Sequence, residues 1–170
     1  VSFDNDELSS AAFFGVVYPV KNASFLEQSG DFRRVDVFGD VRVITEASAS
    51  KGDDPAHRAA AERLGQLMAK DGIQLVFGGG RIGMMGVIAD SVMASGGEVI
   101  GVIPEHLHDI EVGHDGLTEL HIVDSMHTRK NKMFELSDSF VVMPGGLGTM
   151  DETFEIITWR QLGLHDKPVI

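Results

Sequence analysis

The feature that most constrains the fold of this chain is a regular alternation of short apolar runs with helical patterns, which starts near Pro55 and continues to the last residue. The apolar runs predict a short buried strand at residues 73–77 and further strands at residues 99–103, 120–123 and 139–143. The stretches around them predict helices at residues 56–70, 84–95, 125–136 and 149–162. Because strands and helices that alternate in this way form βαβ units, the sequence predicts an α/β fold with a parallel sheet.

Three parts of the chain are less regular. Residues 35–45 are the candidate for a first strand, and residues 167–170 have the pattern of the start of a further strand. Residues 105–118 contain three histidines, and we predict a loop there with one short helix at most. We therefore predict an extension of unknown structure over residues 1–44 and a single folded domain over residues 45–170.

The composition excludes several classes of function. The 170 residues include no cysteine, which rules out a disulfide framework, a thiolate zinc site, an iron–sulfur cluster and a cysteine nucleophile. No apolar run approaches the roughly 18 residues that cross a bilayer. A net charge of −12 argues against nucleic acid as the main partner. We therefore expect a cytoplasmic protein that binds neither a membrane nor nucleic acid.

The first glycine loop, residues 78–83, matches the pattern GxGxxG between a predicted strand and a predicted helix. Glycines at such a turn let the backbone approach a phosphate, and the following helix presents free N–H groups to it. Glu105, after the next strand, would then be the acid that binds the ribose of a dinucleotide. A tight strand-to-helix turn would also explain the same glycines, and the sequence leaves both interpretations open.

The second glycine loop, residues 144–148, follows another predicted strand and leads into Thr149. If the strands before the two loops are neighbours, both loops line one crevice at the carboxyl edge of the sheet, where such folds bind ligands. Thr149 is a candidate helix cap or phosphate ligand. Glu152 follows three residues later, which fits either a capping box with Thr149 or a catalytic carboxylate. The spacing leaves both roles open.

Basic residues are unevenly distributed in the second half of the chain. No Lys or Arg lies between Arg81 and Arg129, and Arg129, Lys130 and Lys132 then follow within four residues. In acidic and glycine-rich surroundings, this cluster favours a pocket for a small anion over a solvated helix face. The histidines at 106, 108 and 114 alternate with acids, and we interpret them as part of a polar loop and not as a metal site.

Taken together, the motifs of this chain resemble the Lonely Guy (LOG) family, the cytokinin riboside 5′-monophosphate phosphoribohydrolases and related AMP nucleosidases. The matching stretches are GGGRIGMMG (78–86), VIGVIP (99–104), MHTRK (126–130), PGGLGTMDE (144–152) and TWRQLGLHDKP (158–168). The resemblance covers about residues 52–170, and the pair MHxRK and PGGxGTxxE is highly specific. Members have also been labelled lysine decarboxylases, but this sequence has no recognisable pyridoxal-phosphate lysine.

The resemblance implies a Rossmann-like, doubly wound parallel sheet in three αβα layers, assembled as a homodimer with the active site near the subunit interface. It implies hydrolysis of the N-glycosidic bond of AMP or a cytokinin riboside 5′-monophosphate, to free base and ribose 5-phosphate, without a metal or an organic cofactor. By motif match, Arg129 and Glu152 would be the catalytic pair. The residues that would hold the substrate are Gly79, Gly80, Met126, Lys130, Gly145, Gly146, Gly148 and Thr149.

The chain departs from the family pattern at both ends. Family members usually carry a Cys-Gly-Ser-Ser turn that lines the nucleotide site, where this chain has Ala-Ser-Ala-Ser at 47–50. Family chains also continue past the Lys-Pro-Val found here at 167–169, so we expect a domain truncated at its C-terminus. Two alternative functions stay open: a dinucleotide-binding oxidoreductase that uses the first glycine loop, and a non-catalytic nucleotide-binding module on the same fold.

Overall fold

The computed structural model describes residues 42–46, 54–108 and 113–170. The elements of this part are β1 (Arg42–Glu46), α1 (Pro55–Lys70), β2 (Gln74–Phe77), α2 (Gly83–Ala94), β3 (Val99–Pro104), α3 (Glu105–His108), β4 (Glu119–Val123), α4 (Met126–Leu136), β5 (Ser139–Val142) and α5 (Leu147–Gln161). The helices and strands predicted from hydrophobic periodicity are all present, with bounds that differ by one or two residues.

The five strands form one parallel sheet in the order β4-β3-β2-β1-β5. The chain adds β2, β3 and β4 on one side of β1 and then returns to add β5 on the other side, so the sheet is doubly wound. Open α/β sheets bind ligands at the carboxyl ends of the strands where the winding reverses, which here are β1 and β5. Since β1 lies between β2 and β5, the two glycine loops do not follow neighbouring strands.

Helices cover both faces of the sheet, and β2 and β3 are buried between them, whereas the edge strand β4 is partly exposed. Leu75 and Phe77 of β2 pack in one core with Ile88 of α2, whereas Val76 packs in a second core with Ile156 of α5. Alternate residues of one strand thus face opposite layers, which is why β2 and β3 are almost wholly apolar. The predicted Rossmann-like fold in three αβα layers is confirmed.

The sheet extends beyond β5 at the C-terminal end of the chain. The backbone N–H of Phe140 donates to the Pro168 carbonyl at 2.9 Å, and the N–H of Ile170 donates to the Phe140 carbonyl at 2.9 Å. These bonds belong to a parallel bridge between Phe140 and Val169, so the predicted start of a further strand is confirmed.

Two other sequence-based expectations fall partly outside the described residues. β1 begins at Arg42, so the expected domain boundary between residues 44 and 45 lies within a strand. Residues 1–41 are outside the described part of the chain, and that boundary stays a prediction. The stretch 105–118 contains the short helix α3, and residues 109–112 within it are also outside the described part.

Candidate active site

The first glycine loop packs into the protein. Gly78, Gly79 and Gly80 are all buried. Gly79 and Gly83 have left-handed backbone angles, φ 75° and 71°, which favour glycine. A Cβ on Gly79 would lie only 3.1 Å from the Cβ of Ile103 in β3. The turn and the close packing on the sheet are therefore sufficient to explain these glycines.

A segment that follows β3 covers the first glycine loop. Gly80 forms an antiparallel bridge with Gly113, and the backbone N–H of His114 donates to the Gly79 carbonyl at 3.0 Å. The buried ring of His114 places Nε2 3.0 Å from the Asp90 carboxylate of α2. The sequence predicted a polar loop around His114 and gave no sign of this contact, because no local pattern shows what a histidine ring will pack against.

Arg129 joins α4 to the carboxyl ends of two strands. Ser125 caps α4 by accepting a hydrogen bond from the backbone N–H of Thr128 at 3.1 Å, which places Arg129 in the second turn of the helix. The buried guanidinium donates from Nε to the Val102 carbonyl (3.2 Å) and from Nη2 to the Gly78 carbonyl (3.3 Å). A Cβ on Gly78 would collide with this guanidinium. Glycine at 78 thus makes room for the arginine.

Glu152 of α5 faces the same guanidinium. Its Oε1 lies 3.8 Å from Nη1 of Arg129, and only 8% of the Arg129 side chain and 12% of the Glu152 side chain are exposed. At this distance the two groups form an ion pair without a close hydrogen bond. Low exposure weakens screening by water, so the attraction is stronger than it would be at the surface. The fold brings together the two residues that the motif match names as catalytic.

The capping-box interpretation of Glu152 is wrong. α5 begins at Leu147, two residues earlier than expected, and its N-cap is Gly146. A capping box requires a side chain on the N-cap residue, which glycine lacks, and Thr149 lies inside the helix. The expectation failed because the spacing between Thr149 and Glu152 does not show where the first turn starts.

The second glycine loop faces solvent. Gly145, Gly146 and Gly148 are exposed, and no side chain in the described part of the chain caps the N-terminus of α5. The first backbone N–H groups of a helix lack intrahelical acceptors and carry partial positive charge, so this end of α5 suits an anion. Thr149 is buried against Gly145, where a Cβ would collide with the threonine side chain.

Lys130, the residue after Arg129, is paired with two carboxylates of α5. Its Nζ lies 2.8 Å from Glu155 and 3.2 Å from Asp151, and only 14% of its side chain is exposed. The hydrogen bond with Glu155 is the main reason that the pKa of Lys130 is raised above its ordinary value; burial opposes this shift and Asp151 adds to it. The ammonium group of Lys130 is therefore held by α5.

Other residues named by the sequence analysis lie around this arrangement. The sulfur of Met126 is 3.7 Å from Nη1 of Arg129. Glu105, the candidate ribose-binding acid, is exposed at the start of α3. Within the described residues, no group of three or more His, Asp or Glu side chains is placed to hold a metal ion. In the same residues, no helix is both long and apolar enough to cross a membrane.

The site as a whole lies at the carboxyl edge of the sheet. Arg129 contacts Gly78, just after β2, and Val102 in the second half of β3, and it faces α5, which follows β5 on the far side of β1. The Glu152 carboxylate is thus held by the Arg129 guanidinium, and it belongs to a helix, α5, whose N-terminus is open to solvent. Chemically, such an arrangement can bind an anionic group at the helix and act on a bond near the carboxylate.

Comparison with known proteins finds close relatives. The family model described as "possible lysine decarboxylase" matches residues 85–170. A cytokinin riboside 5′-monophosphate phosphoribohydrolase from Rhodococcoides fascians is 48% identical over 129 residues, which are 75% of this chain and 65% of that protein. The cytokinin riboside 5′-monophosphate phosphoribohydrolase LOG1 from Arabidopsis thaliana is 42% identical over 144 residues, 85% of this chain and 64% of that protein. The chain spans slightly less than two thirds of the length of these relatives.

Solved structures share the architecture. The molybdenum cofactor binding protein from the phototrophic bacterium Rippkaea orientalis superposes with a TM-score of 0.62 and 22% identity, and the match covers 78% of this chain and 76% of that one. At this level of identity the likeness shows the fold alone. It agrees with the doubly wound sheet described above.

Proposed function

This chain belongs to the Lonely Guy (LOG) family, and from that premise we propose that it hydrolyses the N-glycosidic bond of a purine nucleoside 5′-monophosphate, AMP or a cytokinin riboside 5′-monophosphate. The products are the free base and ribose 5-phosphate. The observation that carries the proposal is the pairing of Arg129 with Glu152 close to the open N-terminus of α5. The names of the two relatives compared above favour this reaction over other reactions of nucleotides.

The second glycine loop is the proposed site of the 5′-phosphate. The backbone N–H groups of Leu147, Gly148 and Thr149 lie in the first turn of α5, where the helix dipole favours an anion. Gly145, Gly146 and Gly148 leave this backbone uncovered. In a chain of net charge −12, an open helix N-terminus supplies positive potential that the overall charge does not.

Glu152 is the proposed catalytic carboxylate. Cleavage of the bond between ribose C1′ and the purine nitrogen builds positive charge on the sugar ring, and a nearby carboxylate stabilises that charge. The bonding electron pair leaves with the base, the oxygen of a water molecule bonds to C1′, and Glu152 accepts the proton of that water. The departing base takes a proton from solvent. Arg129 orients Glu152, since the carbonyls of Val102 and Gly78 hold the guanidinium in place.

The first glycine loop has a supporting role in this proposal. Gly78 accommodates Arg129, and Gly79 and Gly80 let the loop turn and bond to the segment that contains His114. The direct contacts of Gly79, Gly80 and Met126 with substrate stay predictions from the motif match.

Glu152→Gln tests the proposal. The substitution keeps the size of the side chain and removes its charge, so adenine release from AMP should fall by roughly 10²–10⁴-fold while AMP still binds. The free energy of unfolding should fall by only about 1–3 kcal/mol, because Arg129 loses one charged partner and keeps its two carbonyl acceptors. Chromatography of free adenine, calorimetric AMP affinity and Tm on one sample measure the three quantities.

The control for this variant is Glu62→Gln in α1. It makes the same chemical change in a side chain that is 45% exposed and that, within the described part of the chain, forms an ion pair with Arg58 alone. Adenine release should match that of the parent protein. Near-parental release by Glu152→Gln itself would remove Glu152 from the catalytic role.

The same assays distinguish the two alternative functions. A parent protein that binds AMP and releases no adenine would be a non-catalytic nucleotide-binding module. A parent protein that binds NADH would be a dinucleotide-binding protein, which a fluorescence titration would detect. The dinucleotide alternative has less support. The Arg129 guanidinium occupies the space beside Gly78, and the Gly79 carbonyl accepts a hydrogen bond from the backbone of His114. These contacts leave little room for a pyrophosphate at the first glycine loop.

We propose a homodimer in which a second copy of the chain covers part of α5. Leu147, Met150 and Phe154 are spaced for one side of the helix, and 86%, 51% and 61% of their surfaces are exposed. An exposed apolar stripe of this kind is typical of an interaction surface, and it belongs to the same helix as Glu152. Light scattering should give twice 18.4 kDa for the parent and a smaller mass for Phe154→Ser. A monomeric parent at micromolar concentration would contradict this part.

The proposed location and partners rest on composition. A chain without cysteine suits the reducing cytoplasm, and a net charge of −12 disfavours binding to nucleic acid. We therefore propose that a nucleotide, and not a nucleic acid, is the partner. Cell fractionation and a gel-shift assay at low salt would test these two points.

A further inference from the structure

Lys130 contacts α5 on both sides of the proposed catalytic carboxylate. Its Nζ is bound by Asp151, one residue before Glu152, and by Glu155, three residues after it. Asp151 and Glu155 are one helical turn apart, so a single ammonium group bridges them on the side of α5 that faces α4. Only 14% of the Lys130 side chain is exposed, against 26% of Glu155 and 67% of Asp151, so the contact with Glu155 is the better shielded of the two.

Two consecutive cations of α4 thus pair with the same stretch of α5. Arg129 faces Glu152 at 3.8 Å, while the contact of Lys130 with Glu155 is a full angstrom shorter at 2.8 Å. Arg129 is held by the strand carbonyls of Val102 and Gly78 and does not follow α5 if that helix moves. The separation of Arg129 from Glu152 therefore depends on how α5 is docked against α4. Phe134 packs on Trp159 further along the two helices, and the Lys130 contacts are the polar contacts that hold α5 next to Glu152.

The same contacts argue against a direct role of Lys130 in binding phosphate. Two of the three N–H donors of the ammonium already face carboxylates. A phosphate that reached Nζ would also approach Asp151 and Glu155, and the repulsion between like charges would oppose its binding. To bind phosphate without this repulsion, Lys130 would have to turn away from both carboxylates, which includes giving up its better shielded 2.8 Å contact with Glu155.

We propose that Lys130 is a positioning residue, which docks α5 through Asp151 and Glu155 so that Glu152 meets Arg129 and the ribose in the reactive geometry. This role differs from the direct contact with the nucleotide that the motif match predicts. It rests on the proposed hydrolysis for its catalytic consequence. The docking of the two helices can also be measured without turnover.

Steady-state adenine release from AMP by Lys130→Met, Glu155→Gln and the double variant is the first test. Each single variant should lower kcat by roughly tenfold to 10²-fold, because misplacement by about 1 Å costs on that order. KM should stay within about twofold, since no substrate contact is removed. The kcat of the double variant should be no lower than that of the more impaired single variant, because both substitutions remove the same contact between Lys130 and Glu155. Lys130→Arg keeps the charge and should recover most of kcat.

Glu155→Gln separates the two roles of Lys130 most sharply. If Lys130 binds the phosphate directly, loss of the Glu155 charge frees the ammonium, so AMP binds as tightly or more tightly and kcat is kept. If Lys130 positions α5, kcat falls as it does in Lys130→Met. Arg58→Met is the control, since it breaks an exposed ion pair with Glu62 of 2.9 Å on α1 and should leave kcat and KM unchanged.

A double-mutant cycle measured by Tm tests the positioning role of Lys130 without measuring the reaction. In the parent protein, the Tm changes caused by Arg129→Lys and Glu152→Gln should be non-additive, because the two side chains interact. With Lys130→Met present, the non-additivity should be lost. A parent that releases no adenine would refute the proposed function, and the double-mutant cycle would still decide the role of Lys130. The positioning role is overturned if Lys130→Met raises KM at unchanged kcat, if Glu155→Gln keeps kcat, or if the non-additivity survives Lys130→Met.

Discussion

The two glycine loops have nearly the same sequence design and opposite surroundings. Each follows a parallel strand and leads into a helix. In the first loop, the space beside Gly78 is filled by Arg129, and Gly79 is hydrogen-bonded to the backbone of His114. In the second loop, Gly146 and Gly148 face solvent at the N-terminus of α5.

This difference shows that glycine has two distinct uses at the carboxyl edge of such a sheet. In the first loop, the missing side chain gives room to another part of the protein. In the second loop, it leaves the backbone open to solvent and hence to a ligand. A pattern such as GxGxxG does not distinguish the two uses, because the neighbour that fills the space comes from elsewhere in the chain. Substitutions in the two loops should therefore change different properties of the protein.

The largest effect is expected from Gly78→Ala. The added Cβ would collide with the Arg129 guanidinium, with Cζ only 3.0 Å away. The guanidinium is buried and could move aside only by giving up its bonds to the Val102 and Gly78 carbonyls. Overpacking of this kind should lower the free energy of unfolding by about 3 kcal/mol, or Tm by roughly 6–12 °C. Because Arg129 must move, adenine release should also fall by about 10²-fold. Urea unfolding and chromatography of adenine measure the two losses.

A Gly78→Ala protein with parental stability and activity would contradict the packing role of the first loop. It would mean that the guanidinium can reach its partners from another position. Gly79 would then be the remaining reason for glycine in this part of the first loop, since its φ of 75° disfavours any other residue.

A smaller effect, on a different property, is expected from Gly148→Ala. Among the described residues, no atom other than those of its chain neighbours and its own helix backbone lies within 4 Å of the added Cβ, and the backbone angle at 148 is an ordinary one. Since alanine is the better helix former, the free energy of unfolding should stay unchanged or rise by up to about 1 kcal/mol. If the 5′-phosphate lies at this turn, AMP affinity should fall by about tenfold, or about 1.4 kcal/mol. Calorimetric titration with AMP and a Tm measurement are the two assays.

Gly148→Ala thus makes the same chemical change as Gly78→Ala and serves as its control. Loss of stability without loss of AMP affinity in Gly148→Ala would show that the second loop is also a packing element. That result would remove the difference between the loops and move the proposed phosphate site.

The smallest effect is expected from alkaline pH. It should weaken the contacts of Lys130 with α5, the helix that follows the second loop, and leave the packing of the first loop unchanged. The pKa of Lys130 is raised above its ordinary value of 10.5 chiefly by hydrogen bonding to Glu155. A raised pKa in the folded protein means that the ion pair contributes its full stability below pH 10.5 and loses it as pH rises through the higher folded value. The stability difference between the parent and Lys130→Met should therefore be constant from pH 7 to 10 and shrink above that range. Urea unfolding across this pH series measures it.

A difference that already shrinks below pH 9 would point to a group other than Lys130. Gly78→Ala offers the comparison, since its loss comes from packing. Its stability deficit relative to the parent should not follow the same alkaline profile.

Local sequence patterns were sufficient for much of the fold and part of the site. The alternating strands and helices follow from apolar residues at short, regular spacings, which act within each element. The motif match named Arg129 and Glu152, and the fold places their side chains 3.8 Å apart. The start of α5 at Leu147 was missed, because several glycines in a row allow more than one first turn.

The sequence by itself determined the α/β class, the order of the elements along the chain and the two stretches that carry the charged pair. Only the tertiary structure decided what each residue faces. Gly78 meets Arg129 across 51 positions, and Lys130 meets Asp151 across 21. The physical reason is that periodicity acts between near neighbours along the chain, whereas packing and ion pairing act through space. Which partners come within reach depends on the strand order β4-β3-β2-β1-β5, which no single segment of the sequence contains.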